Sequence, residues 1–237
     1  MEFLHDDVNL IRAKVDIPEQ NNDRLPEIEA AKKAWNMEKK ANESFIRETF
    51  YGQQRQTSKC PYCNWTSVKY ESFSGLHLTF PSSGSSKRFN LRQLIENYLS
   101  IEQIDSYPCP TCKKERKIDK QFEIVKLPLI LTISLGRFHN DGISKKMHNF
   151  VDFQLTDVDF GIYATACDGQ LNRYKDYNLY GVCNHYGGSL ESGHYTAYCY
   201  SQVYRKWYKY DDTDVSEMDA SQVKSSSAYI LFYSAKN

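Results

Sequence analysis

Four cysteines are arranged for metal chemistry. Cys60-Pro-Tyr-Cys63 and Cys109-Pro-Thr-Cys112 are two CxxC pairs, each with proline after its first cysteine. A tight turn of this kind delivers two thiolates to one point, and two such turns complete a tetrahedral Zn²⁺ site with no open position. A closed Cys₄ site is structural rather than catalytic, and here it would clamp a long insertion with little core of its own. The same residues also read as four buried or redox-active thiols. A second constellation lies near the C-terminus: Ser192-Gly-His194-Tyr-Thr-Ala-Tyr198, followed by Trp207-Tyr-Lys-Tyr-Asp211-Asp212. If a strand runs to Tyr200 and returns from Arg205, His194 falls directly opposite Asp211. Directly opposed residues have Cβ atoms roughly 4.5–5.5 Å apart, so a carboxylate there orients an imidazole. A His–Asp dyad of this kind supports a nucleophile, and a purely structural hydrogen bond at a strand end has the same pattern.

These groups need elements to position them. Phe3, Leu4, Val8 and Ile11 have helical spacing, and Asp16–Asp23 reads as a polar loop. The composition from Pro26 to about Thr49 is helical, with proline suited to a first turn. Alternating residues mark strands over Trp65–Phe73 and Leu76–Phe80, and Pro81–Ser86 reads as a flexible loop. Asn90 is placed to cap a helix carrying Leu91, Leu94 and Ile95. Further strands are predicted at Phe122–Leu127, Leu129–Phe138, Tyr177–Cys183, Tyr195–Tyr200, Lys206–Tyr210 and Ala228–Tyr233, with a short helix at Glu217–Val223. The sequence thus reads as an α+β chain: leading helices to residue 49, a zinc-knuckle region over 50–116 with an inserted hairpin and helix, and an antiparallel sheet over 117–237 carrying the histidine and aspartate.

Composition narrows the function. The chain has 237 residues, 41% hydrophobic and 25% charged, an ordinary globular balance. Its 18 tyrosines and 12 phenylalanines favour sheet. Thirty basic residues offset thirty acidic ones, so no global field draws a polyanion, which argues against a nucleic-acid partner. No apolar run suits a membrane span, and Met1-Glu-Phe-Leu-His-Asp-Asp lacks a signal peptide's features. Seven cysteines without a secretion signal imply a reducing compartment, most simply the cytoplasm.

Several motifs, spread along the chain, resemble the ubiquitin-specific protease catalytic domain. The segment around His194 resembles its histidine box, and Trp207–Asp212 its aspartate motif, with Asp212 a neighbouring support. Asn184-His185-Tyr186-Gly187-Gly188, with Gly193, resembles the glycine-rich loop bordering the channel for ubiquitin's tail. Leu127–Phe138 and Ser226–Tyr233 resemble palm strands, and the CxxC pairs the zinc-bearing fingers. Leu4–Asn9 resembles the end of the thumb, so the resemblance implies fingers and palm of a papain-like cysteine protease fold with most of the thumb missing. It also implies a thiol-dependent deubiquitinase, structural zinc, and ubiquitin and ubiquitinated proteins as partners. The wording of Lys224–Tyr233 is closest to the endosomal UBPY branch, which implies endosomal association through parts not present. Gly136 stands where the family has lysine, and Gln154 where it has proline; a surface or strand-end position would tolerate either.

The family's nucleophilic cysteine lies upstream of the fingers, at a helix N-terminus that lowers a thiol's pKa. No such box is present. Cys183 and Cys199 sit in apolar strands, and Cys167 is expected to be exposed. The chain then reads as a fragment or an inactive relative, with base and orienter but no nucleophile. A ubiquitin-binding module without chemistry is the alternative.

Overall fold

The structure, a computed structural model, describes residues 2–12, 15–16, 25–81, 87–138, 146–188 and 192–236. Apart from Asp16 and Pro81, the loops expected at 16–23 and 81–86 lie outside the described residues. Three helices come first: α1 (Glu2–Val8), α2 (Glu27–Ala41) and α3 (Phe45–Phe50). Strands β1 (Gly52–Lys59), β2 (Thr66–Phe73), β3 (Leu76–Thr79) and β4 (Arg88–Asn90) precede α4 (Leu91–Tyr98). Next are β5 (Glu102–Cys109), β6 (Lys114–Lys126), β7 (Ile130–Gly136), β8 (Phe150–Asp152) and β9 (Val158–Asp159). The chain ends with β10 (Asp176–Tyr186), β11 (His194–Ser201), β12 (Lys206–Asp211), β13 (Asp214–Met218) and β14 (Ala228–Ala235). No helix among the described residues is long and apolar enough to cross a membrane.

The elements form two compact units, each gathering segments separated in sequence. The first contains Met1–Ser74, Leu99–Leu129 and Phe160–Lys175. Its sheet runs β2-β1-β6-β5, antiparallel throughout. Helix α2 buries its smallest residues, Ala30, Ala31 and Ala34, against Tyr70 of β2 and Val125 of β6, because alanine lets helix and sheet backbones approach closely. The single helix expected over 26–49 is two. Ser44 breaks it by capping α3, its hydroxyl accepting the Arg47 N–H at 3.0 Å. In α1 the buried residue is His5, bonded to the Ser44 hydroxyl at 2.7 Å, while Phe3 and Leu4 are exposed. The expected apolar stripe is therefore not the packed face. Burial, with Arg47 nearby, pulls the Lys126 ammonium down to about 7, and it lies 3.0 Å above the Trp35 ring.

The second unit contains Gly75–Tyr98, Ile130–Asp159 and Asp176–Asn237. Its main sheet has the order β13-β12-β11-β10-β14-β7-β3, with β9 also pairing β10. All neighbours are antiparallel except β3 and β7. Leu131, Ile133 and Leu135 alternate inward on β7, with Leu231 and Tyr233 on β14. Asn90 caps α4 reciprocally: its Oδ1 accepts the Gln93 N–H at 2.8 Å, and Gln93 Oε1 accepts the Asn90 N–H at 2.9 Å. Gly136 ends β7, as one of the two expected placements had it, but it is buried and not on the surface. A Cβ there would meet the Leu78 carbonyl at 3.2 Å on parallel β3. Gln154 is exposed and lends its carbonyl to the buried Tyr233 hydroxyl at 2.8 Å. The helix expected at Glu217–Val223 shrinks to a 3₁₀ turn at Ala220–Gln222, since Glu217 and Met218 belong to β13.

Candidate active site and metal centre

Three adjacent strands build the histidine site. In β11 the residues from His194 to Cys199 pair in register with β10, from Tyr186↔His194 to Gly181↔Cys199. Across β12 the register is Ala197↔Tyr210 and Ser201↔Lys206, closed by the four-residue turn Gln202–Arg205 with Arg205 left-handed. This register differs from the one in which Tyr200 faces Arg205: Tyr200 faces Trp207. One further step places Asp211 across from Thr196, so His194 and Asp211 are diagonal neighbours. The displacement is an even number of residues, which leaves both side chains on one face.

The dyad forms across that diagonal, with His194 Nε2 2.5 Å from Asp211 Oδ1. The other carboxylate oxygen lies 2.8 Å from Lys209 Nζ. Nε2 is the donor of the neutral ring in this geometry, so Nδ1 is the acceptor, and it has no hydrogen bond among the described residues. The bond to Asp211 holds His194 protonation above the ordinary imidazole range, reinforced by the Asp211 and Asp212 charges; partial burial and Lys209 oppose it. Lys209 and then His194 hold the Asp211 carboxyl below its ordinary range. Asp212 is exposed and left-handed, and its carboxylate lies within 4.8 Å of the other two groups.

The neighbouring glycine loop divides into parts. His185 and Tyr186 lie within β10, not in a loop. His185 is fully buried on the opposite face from His194, against Tyr195 at 4.8 Å and Phe138 at 5.7 Å. Burial pulls its protonation down, with a further push from Lys146, whose buried ammonium donates to the His185 carbonyl. Tyr186 is on the His194 face, its hydroxyl 3.1 Å from that of Tyr198. Gly187 has φ 132°, and a Cβ there would strike the Ser192 carbonyl at 2.7 Å. Gly193 packs onto the His185 ring: a Cβ would stand 2.1 Å from its Nε2. Gly188 meets no such constraint among the described residues.

The four predicted metal ligands converge in the first unit, with all their sulfurs within 4.8 Å of one another. Cys63 and Cys109 are 3.6 Å apart, Cys60 and Cys112 4.0 Å. A tetrahedron with Zn–S of about 2.3 Å has sulfur–sulfur edges of roughly 3.8 Å, so the cluster fits a zinc ion. Trp65 stacks on Tyr107 at 5.7 Å beside it.

The remaining cysteines are placed away from His194 or sealed. Cys183 and Cys199 alternate onto the opposite face of the sheet, and burial pushes both thiols up. Cys167 was expected to be exposed. It is 3% exposed, in the core beneath α2, because left-handed Cys167 and Asp168 turn the chain inward.

The family profile described as "Ubiquitin carboxyl-terminal hydrolase" matches residues 1–233. The chain belongs to the ubiquitin carboxyl-terminal hydrolase family. Ubiquitin carboxyl-terminal hydrolase 2 of Gallus gallus is 32% identical over 237 residues, covering 98% of this chain and 65% of that protein. The Homo sapiens protein of the same name is 31% identical, covering 98% of this chain and 38% of its own length. The chain thus spans less than two thirds of these relatives. A solved structure, the SAGA Ubp8/Sgf11/Sus1/Sgf73 DUB module bound to ubiquitin aldehyde, is similar at a TM-score of 0.67 and 25% identity, covering 89% of this chain and 47% of that one. The α+β fold of this family member is therefore that of a ubiquitin carboxyl-terminal hydrolase domain.

Proposed function

We propose that this chain carries the base and its orienter for thiol-dependent hydrolysis of the bond after ubiquitin's C-terminal glycine. The carrying observation is His194 Nε2 on Asp211 at 2.5 Å, with no hydrogen bond to Nδ1 among the described residues. In this reading Nδ1 takes the proton of a cysteine thiol, the thiolate attacks the scissile carbonyl, and His194 returns the proton to the departing amine. Asp211 fixes the tautomer and supports the imidazolium, and Asp212 adds negative field. Water then hydrolyses the thioester, with His194 again as base. Ubiquitin and ubiquitinated proteins are the partners; the ubiquitin aldehyde on the Ubp8 module supports this. The segment His185–Gly188, with Gly193, borders the tail channel, with Tyr186 supplying an aromatic wall and His185 supporting Gly193 from beneath.

Zinc is proposed for Cys60, Cys63, Cys109 and Cys112, as a structural ion. A cytoplasmic setting is proposed with it, because a Cys₄ site requires reduced thiolates. The relatives named above are type 2 enzymes, which gives the UBPY branch and its endosomal association no support.

The nucleophile is none of the seven cysteines: four form the metal cluster, Cys167 is buried, and Cys183 and Cys199 face away. That placement favours a second reading for the chain acting by itself, ubiquitin binding without chemistry. Both are tested together with isotope-labelled ubiquitin and a fluorogenic ubiquitin derivative. The chain is expected to shift the signals of ubiquitin's C-terminal tail and to release no fluorophore. Absence of tail shifts would defeat the ubiquitin reading. Turnover lost on Cys167→Ser or Cys199→Ser would overturn the assignment of the thiols.

A further inference from the structure

We infer that Lys209 is a positioning residue for the dyad, holding the second oxygen of Asp211 so that the first is presented to His194 Nε2. The inference rests on the reading of His194 as the base. Its ground is the division of one carboxylate between two partners: Oδ1 to His194 at 2.5 Å and Oδ2 to Lys209 Nζ at 2.8 Å. Residues two apart on a strand share a face, so β12 itself delivers ammonium and carboxylate to the same side. Because the carboxylate is planar, pinning Oδ2 also fixes where Oδ1 points.

The surroundings explain why a cation is required. Asp211 lies directly opposite Asp214 on β13, a like-charge pair that disfavours the register. Asp212 follows on the chain. Among the described residues, Tyr186 of β10 and Tyr198 of β11 complete the ionisable groups facing the dyad, and Tyr198 is the cross-strand partner of Lys209. Lys209 therefore sits where one positive charge offsets three carboxylates. Without it, Asp211 would be free to rotate and the imidazole would face a more negative field. Both consequences leave less ring with a free Nδ1 acceptor: rotation mixes the tautomers, and the field raises the ring's proton affinity, so that more of it is already charged at a given pH. The ion pair is half-exposed, so its contribution to stability is small. Its effect is on orientation and on proton affinity, where Lys209 acts against the carboxylates.

The test is nitrogen-15 NMR of the His194 ring across pH in the full chain, comparing wild type with Lys209→Gln, Lys209→Arg and Lys206→Gln. The last removes the neighbouring Lys206–Glu217 pair and serves as control. Wild type is expected to carry its neutral-ring proton on Nε2. Lys209→Gln should populate both tautomers, Lys209→Arg should restore the wild-type pattern, and Lys206→Gln should leave it unchanged. An unchanged tautomer population in Lys209→Gln overturns the inference. The spectra report the ring directly, so a failure to bind ubiquitin tail would defeat the functional reading without touching this result.

Discussion

His194 and Asp211 meet at 2.5 Å across a diagonal of the β11–β12 ladder, not between directly paired positions. Asp211→Asn should lower the protonation midpoint of His194, since the bond to that carboxylate is the largest influence raising it. The sign for stability follows from linkage. His194, raised on folding, contributes below its unfolded value near about 6.5 and loses that contribution as pH rises through the folded midpoint. Asp211, lowered on folding, contributes above its unfolded value near about 3.9 and loses it as pH falls. Thermal melts should show the largest wild-type advantage over Asp211→Asn between about pH 4 and 6.5. A midpoint that rises in the variant would contradict the assignment.

The Cys₄ cluster should bind one zinc ion per chain. Elemental analysis of protein purified without added metal checks this, with Cys60→Ser expected to fall well below half an equivalent. Chelation should loosen Trp65 and Tyr107, which pack beside the cluster, and so change the near-ultraviolet circular dichroism.

Gly193→Ala should disturb the loop from below. Its Cβ would lie 2.1 Å from His185 Nε2 and 2.6 Å from the Tyr186 carbonyl, and the second contact is backbone. Relief requires His185 to move out of its aromatic surroundings, at a cost of about 1–3 kcal/mol. Chemical denaturation measures it. Gly188→Ala, which has open space, should be near neutral by the same assay.

Arg137 is fully buried and donates to the carbonyls of Ala228 at 2.7 Å, Met147 at 2.9 Å and Asn149 at 2.8 Å. Arg137→Met would remove all three bonds, with the buried Ala228 carbonyl alone costing about 1–3 kcal/mol when left unpaired. Burial pulls the guanidinium down to about 10, so the wild type keeps its charge at neutral pH. Arg137→Lys should recover little, because an ammonium lacks the planar fork that serves several carbonyls. Equal denaturation midpoints for Arg137→Lys and wild type would count against this.

Local chemistry was legible in the sequence wherever neighbours along the chain determine it. The CxxC spacing alone brings two sulfurs together, and Asn90 with Gln93 closes its own cap on α4. Strand periodicity likewise put His194 and Asp211 on one face in either register. The tertiary structure decided what depends on partners distant in sequence. Turn geometry at Gln202–Arg205 selected the diagonal, and pairing with β11 turned His185 away from His194. Strand β1, Gly-Gln-Gln-Arg-Gln-Thr-Ser-Lys, has no apolar alternation to betray it. It is held by its two neighbours, with Arg55 on Glu123 and Gln53 on the Ala31 carbonyl. Cys167 reads as polar-loop sequence yet is core, because two left-handed residues redirect the chain beneath α2. A backbone turn of that kind is fixed by the packing it enables, and no spacing of residue types encodes it.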